Sequence, residues 1–300
     1  HRDLHSFPTR RSSDLRLVHN PELPAFTGGF VGYLGYELVQ QFEDIKLRAK
    51  KGLRIPDAAL FFSRNLIAFD HIRHELKVIH LAVLNESPKK AYQRALRELN
   101  FIIQKLKKPV SYKKYLDQKP AQPLQFRSNM KQRDFEAMVE RAKAYIRAGD
   151  CIQTVLSQRF DLGIVKNDFS LYRALRSLNP SPYMFYFRHG ELSLVGSSPE
   201  MLTRKTGSLA EIRPIAGTRP RGKTEKEDFD YETALKKSPK EMAEHLMLVD
   251  LGRNDLGRVC EKKSVRVENF AHVERYSHVM HLVSDIKAKL KKGKTAFDLL

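Results

Sequence analysis

Apolar positions along this chain follow two rhythms, one helical and one alternating, and the changes of rhythm mark the elements. After Ser87-Pro88, the residues Tyr92, Leu96, Leu99, Ile102, Ile103 and Leu106 recur at helical spacing, which predicts a long amphipathic helix to about Lys107. A second such helix is expected over Phe135–Ala148, stopped by Gly149-Asp150. Phe169–Leu178 reads as a short helix, and Ser238-Pro239 opens another that should run to about Leu251. Between these stand strand-like runs. Ala58–Phe69 and Glu75–Leu84 flank AFDHIRH as an antiparallel hairpin, and CIQTVLSQRFDL from Cys151 reads as one strand. From Tyr183 to Gly217 successive strands are expected, with turns at His189-Gly190 and Thr206-Gly207. Ser264–Phe270 and Ser277–Ile286 complete the strand set, while Phe26–Glu43 begins as a Gly-punctuated strand and turns helical near Tyr36. The pattern predicts the α+β class: large antiparallel β-sheets flanked by helices.

Punctuation then divides the chain. Residues 108–127 carry three prolines among many polar groups and read as a linker. The first 15 residues, HRDLHSFPTRRSSDL, are Ser/Arg-rich and without periodicity, and are expected to be a foreign or disordered tail. The expected organisation is therefore 1–15 tail, 16–127 N-terminal region with linker, and 128–300 a second domain.

Bulk composition narrows the picture only where it departs from the ordinary. A content of 41% hydrophobic and 30% charged residues is that of a globular chain. The net charge of +19 could attract nucleic acid, an acidic membrane or an anionic small substrate. Its lysines are dispersed, at Lys46–Lys51, Lys105–Lys108, Lys113–Lys114 and Lys287–Lys294, without a basic stripe interleaved with aromatics, so nucleic-acid binding is a weak reading. Two cysteines, Cys151 and Cys260, are too few for a disulfide scaffold, which fits a reducing cytoplasmic setting. No apolar run approaches bilayer-spanning length.

Candidate chemistry gathers between Ile212 and Ser284. Glu241 and Glu244 stand at i and i+3 on a predicted helix, which puts both carboxylates on one face, where hard oxygen donors suit Mg²⁺. Such pairs are usually solvated surface. Glu200 ends GSSPE, where burial could raise its pKa enough for general-acid work, although a turn glutamate is more often simply exposed. Gly217 permits close approach to a ligand, and Thr218 and Arg219 could hold an anionic oxygen. His281 alternates with Val279 and Val283 on one strand face, where a histidine is more often a satisfied core residue.

Taken in order, the blocks GDCIQTVLSQRF, NPSPYMFYF, GSSPEMLTR, RPIAGTRPRG, AEHLMLVDLGRNDLGRV and VERYSHVMHLVS resemble component I of anthranilate synthase, a chorismate-utilising enzyme family. FTGGFVGYLGYELVQQFE is similar to its N-terminal half, so the resemblance covers roughly residues 25–300. The resemblance implies a lyase of tryptophan biosynthesis. Ammonia adds at C2 of chorismate as the C4 hydroxyl leaves, and pyruvate is then eliminated to give anthranilate. It implies Mg²⁺ as cofactor and a glutamine amidotransferase subunit as the source of ammonia. Residue by residue, it implies Glu244 as a metal ligand, Glu241 as a supporting acid and Glu200 as the proton donor to the departing hydroxyl. It further implies Ala216, Gly217 and Thr218 as pocket lining, and His281 in the pyruvate-releasing half.

Two positions discriminate among relatives. Aminodeoxychorismate-forming relatives often carry a lysine nucleophile where this chain has Ala216, and isochorismate-forming relatives a lysine base where it has Gln153. Both point to ammonia used directly, with aminodeoxychorismate synthase component I as the alternative. Pro182, Tyr183 and Met184 match part of a tryptophan feedback site whose N-terminal serine motif is not recognisable. Family members continue with a GTVSGAPK-like block and further acidic metal residues, absent from residues 285–300, so this 300-residue chain is expected to be inactive alone.

Overall fold

A computed structural model describes residues 17–18, 20–46, 53, 55–85, 87–110, 125–163 and 167–300. The expected tail, most of the expected linker, Lys113–Lys114 and much of the Lys46–Lys51 patch lie outside the described residues. Contacts divide the chain into two compact units, His1–Lys119 and Pro120–Leu300, a division that falls within the stretch expected to be a linker.

In the first unit, strand β1 (Gly29–Leu34) pairs antiparallel with β2 (Ala58–Ser63), and β3 (Asn65–Asp70) forms a hairpin with β4 (Glu75–His80). The run Ala58–Phe69, expected as one strand, is thus two strands in different sheets. Arg64 breaks it: its carbonyl accepts from Leu81 N (2.7 Å) and its Nε donates to Leu81 O (3.2 Å), which turns the chain from one partner to another. A short 3-10 helix, Tyr36–Gln41, follows β1. Gly32 is required where β1 meets β2, since a Cβ there would lie 1.9 Å from Ala59 O. Helix α1 (Pro88–Leu106) begins as expected, with Pro88 in its first turn and Ser87 Oγ accepting from Lys90 N (3.5 Å). It packs on β4 and buries Ala91 and Ala95.

The second unit begins with the ribbon β5 (Phe126–Ser128) and β6 (Phe160–Leu162), closed by an edge-on Phe126–Phe160 contact. Between them runs α2 (Gln132–Ala148), which ends at Gly149 in the left-handed conformation (φ +84°). The strand expected from Cys151 is realised only at its end: residues 151–159 belong to no ladder among the described residues. Apolar alternation marks a stretch fit for a sheet, but a strand also needs a partner edge. Helix α3 (Asp168–Leu178) lies against the hairpin β7 (Tyr183–His189) and β8 (Leu192–Ser198).

The remainder forms a five-stranded antiparallel sheet: β9 (Arg204–Thr206), β10 (Leu209–Ile212), β11 (Ile215–Pro220), β12 (Arg266–Arg275) and β13 (Val279–Lys289). β13 is central. β12 runs along one side of it, and β10 and β11 lie end to end along the other, separated at Arg213-Pro214. Helices α4 (Glu225–Lys237) and α5 (Pro239–Val259) pack on this sheet. The sequence reading did not include α4, yet its signals are plain: Thr224 Oγ1 accepts from Glu227 N (3.2 Å), acids fill the first turn and lysines the last. α5 runs well past Leu251 because Gly252 does not break it. That residue brings the helix close to β13, where a Cβ would sit 2.8 Å from Ile286 Cδ1. Val249 and Leu256 then pack with Ala210, Ile286, Ala288 and Leu290, while Leu235 packs with Met280 and Leu282. A short helix, α6 (Ala296–Leu299), follows the sheet. Every strand pair among the described residues is antiparallel, which is the α+β class expected.

Candidate active site

The site is organised by an irregularity in β11. Ala216 pairs with Leu282 and Arg219 with Met280, so Gly217 and Thr218 together face the single residue His281. Gly217 adopts φ +65°, and a Cβ there would lie 2.9 Å from Leu235 Cδ1 and 3.1 Å from Glu241 Oε2. Only glycine meets both demands without strain. The bulge turns the Gly217 carbonyl to within 2.8 Å of His281 Nδ1, with Thr218 Oγ1 at 3.2 Å from the same nitrogen. A carbonyl can only accept, so Nδ1 carries the proton and the neutral ring keeps its lone pair on Nε2.

Glu200 arrives from the segment after β8. Its backbone is held in a tight turn: Ser198 Oγ accepts from Glu200 N (3.2 Å) and donates to Glu200 O (3.0 Å). Although Glu200 is exposed overall, local desolvation of its carboxyl raises its pKa above the usual carboxylate value, and a hydrogen bond from the Ile215 amide and the nearby His281 offset only part of that shift. Glu200 and His281 are therefore neighbours beside β11.

Glu241 approaches from the first turn of α5, where Ser238 Oγ accepts its amide (3.4 Å). Its Oε1 accepts from Arg219 Nη1 (3.2 Å), and that same nitrogen donates to the Thr218 carbonyl (2.8 Å). Glu244, one turn on, is half-buried, with no hydrogen bond or ion pair to another described residue. Among the described residues no group of three or more His, Cys, Asp or Glu side chains is placed to hold a metal ion. Carboxylate oxygens are nevertheless the donors Mg²⁺ takes, commonly one or two from protein with substrate oxygens and water completing the shell. The free carboxylate of Glu244 fits that pattern as an open site. Glu241 already faces Arg219, which suits a supporting acid better than a primary ligand.

Of the other expected residues, Ala216 adjoins the bulge, while Gln153 and residues 182–184 lie on other segments. Ala216 is buried and shares a sheet face with Leu282. Gln153 lies exposed on the stretch before β6. Pro182 is exposed, and Tyr183 and Met184 begin β7, with Tyr183 Oη accepting from Arg204 Nη2 (3.2 Å).

A polar network beside His281 escaped the sequence reading. Glu274 pairs directly across from His281, and the Tyr276 ring meets His281 edge-on at 5.5 Å. Tyr276 Oη donates to Glu274 Oε2 (2.8 Å), and burial together with that carboxylate pushes the phenol up to about 12. Arg213 bridges Glu274 and Asp285. Burial alone would raise both carboxyls. Hydrogen bonds outweigh it and hold both low, from Tyr276, Arg213 and His272 to Glu274, and from Asn269 and Arg213 to Asp285. The signal was present in the block VERYSHVMH, but pairing across strands is needed to see it.

A family model described as chorismate binding enzyme matches residues 4–300, which takes in part of the Ser/Arg-rich first stretch. The chain belongs to the chorismate-binding enzyme family. Among relatives in this family, anthranilate synthase component 1 of Acetivibrio thermocellus is 41% identical, over 93% of this chain and 58% of that protein. That of Aquifex aeolicus is 43% identical, over 94% of this chain and 57% of that protein. The crystal structure of anthranilate synthase component I from Streptococcus pneumoniae TIGR4 superposes with a TM-score of 0.83 at 37% identity, covering 94% of this chain and 61% of that one. The chain thus spans less than two thirds of each of these chorismate-binding family members. Among its described residues no helix is long and apolar enough to cross a membrane.

Proposed function

We propose that the protein carrying this chain is anthranilate synthase component I, a lyase that converts chorismate and ammonia to anthranilate, pyruvate and water. The observation that carries this reading is the proximity of Glu200 to His281 beside the β11 bulge: a carboxyl with a raised pKa near an imidazole whose Nδ1 is engaged by the Gly217 carbonyl. Glu200, protonated, donates to the C4 hydroxyl of chorismate, which departs as water while ammonia forms the C2–N bond. His281 Nε2 then takes the proton from C2. The ring becomes aromatic as the bond to the enolpyruvyl oxygen breaks, and pyruvate is released. Thr218 and the backbone at Gly217 orient His281 and line the pocket, and Ala216 keeps that wall small. Arg219 holds Glu241 in place.

Magnesium would be held by Glu244, with Glu241 beside it, and when bound supplies positive charge opposite the substrate's ring carboxylate. Ammonia would come from a glutamine amidotransferase partner in the cytoplasm, and Pro182, Tyr183 and Met184 would contribute to a tryptophan feedback site. Gln153, an amide that cannot serve as a base, is consistent with ammonia rather than water as nucleophile.

The test supplies the whole protein with chorismate, ammonium and millimolar Mg²⁺ and follows anthranilate fluorescence. Anthranilate with equimolar pyruvate is expected. Aminodeoxychorismate as sole product would overturn the product assignment, and no consumption of chorismate would overturn the reading altogether.

A further inference from the structure

We propose that His245 is a positioning residue that, with Ser284, sets the rotation of α5 and so the placement of Glu241 and Glu244. His245 follows Glu244 directly and is fully buried. Its Nε2 lies 2.6 Å from Ser284 Oγ on β13, and Ser284 is fully buried too.

Ser284 occupies a junction. Its Oγ accepts from the Ala271 amide (2.8 Å), where β12 shifts register between Glu268 and His272 and Ala271 takes φ +49°. Its own amide donates to the Pro214 carbonyl (3.3 Å), at the break between β10 and β11 and three residues before Gly217. One serine thus ties together irregular points of the strands on both sides of β13, and His245 fastens α5 to it.

The buried stripe of α5 is His245, Val249, Gly252 and Leu256. Glu241 lies one turn earlier on that stripe, and Glu244 lies about 100° around the helix from His245. Apolar contacts by Val249 and Leu256 have no directional preference of their own, while Gly252 sets how closely the helix approaches β13. The His245–Ser284 hydrogen bond is directional, and a slip of one residue would break it. An aliphatic side chain would suit the stripe without a buried ring nitrogen, yet His245 Nδ1 is buried with no partner among the described atoms. Retaining a costly polar group on an apolar stripe is intelligible if its bond fixes the register.

The inference rests on the reading of Glu241 and Glu244 as the metal-holding face, and the experiment separates the two. Mn²⁺ binding to the whole protein is followed by EPR of the free ion, for the unaltered protein and for S284A, H245L, H245Q and V249A, well below each melting temperature. The unaltered protein should bind. S284A and H245L should bind about tenfold more weakly while keeping their far-UV circular dichroism. H245Q, whose amide can still reach Ser284, should lie closer to the unaltered protein. V249A, a cavity on the same stripe, should lower the melting temperature without that loss of affinity. Unchanged affinity in folded S284A or H245L overturns the inference, as does an equal loss in V249A. If either of the two variants does not fold, the other decides by the same criterion. Absence of Mn²⁺ binding in the unaltered protein removes the carboxylate reading itself, and the inference with it.

Discussion

Glu200 shows how little a single side chain discloses until its neighbours are known. In GSSPE it is an ordinary turn glutamate; beside β11 it is still exposed overall, but local desolvation raises the pKa of its carboxyl. Its acid form therefore persists above the ordinary value of 4.5, and activity that needs its proton is lost as pH rises through the raised pKa. Glu200→Gln should lower kcat about 100-fold with little change in KM and should abolish that limb of the pH profile, as read from steady-state rates between pH 5 and 9. Gly217 is the complementary case, a residue defined by what it lacks. Gly217→Ala places a Cβ against Leu235 and Glu241 at φ +65°, and should destabilise the fold by about 2 kcal/mol, measured by urea unfolding.

At the scale of elements, the turns on either side of the site are held by one clamp. Arg221 donates through Nε and Nη2 to Asp228 in the first turn of α4, through Nη1 to Tyr276 O (2.8 Å), and through its amide to His278 O (3.1 Å). The Arg221 guanidinium and the Gly222 amide hold the Asp228 carboxyl well below the usual value of 3.8, at about 2. A depressed folded pKa means that the clamp's contribution is present above 3.8 and is lost as pH falls toward 2. Melting curves of the unaltered protein should show that loss, and in Asp228→Asn the part due to this carboxyl should vanish. Arg213 joins the neighbouring elements: Arg213→Met leaves Glu274 and Asp285 without their shared cation, and should cost about 2 kcal/mol in chemical denaturation. The helices were legible at this scale because each carries its own caps and periodicity, as Ser87-Pro88 and Ser238-Pro239 do. α4 went unread although its cap and terminal charges were on view. The split of Ala58–Phe69 at Arg64 and the unpaired stretch before β6 could not be read, since each depends on a partner strand elsewhere.

For the whole molecule, the charge of +19 is its most conspicuous bulk property. Some of its cations are paired along helices and between strands, as in Lys143–Glu140, Lys236–Glu232 and Lys287–Glu268, and its lysine patches are dispersed along the sequence without a basic stripe interleaved with aromatics. Binding to random duplex DNA is therefore expected to be weak and to vanish at moderate salt, where a dedicated nucleic-acid protein would retain specific affinity; fluorescence anisotropy across a salt series checks this.

The amino-acid order by itself determined the class of fold, the helices that carry their own caps, and the family, because these depend on local periodicity and on long uninterrupted blocks. The tertiary structure alone decided which residues meet. It set Gly217 and Thr218 against His281, brought Glu200 beside them, gave Glu241 to Arg219, and buried His245 on Ser284. Each of these pairings joins residues 15 or more positions apart, through a bulge or a strand register that no local pattern encodes.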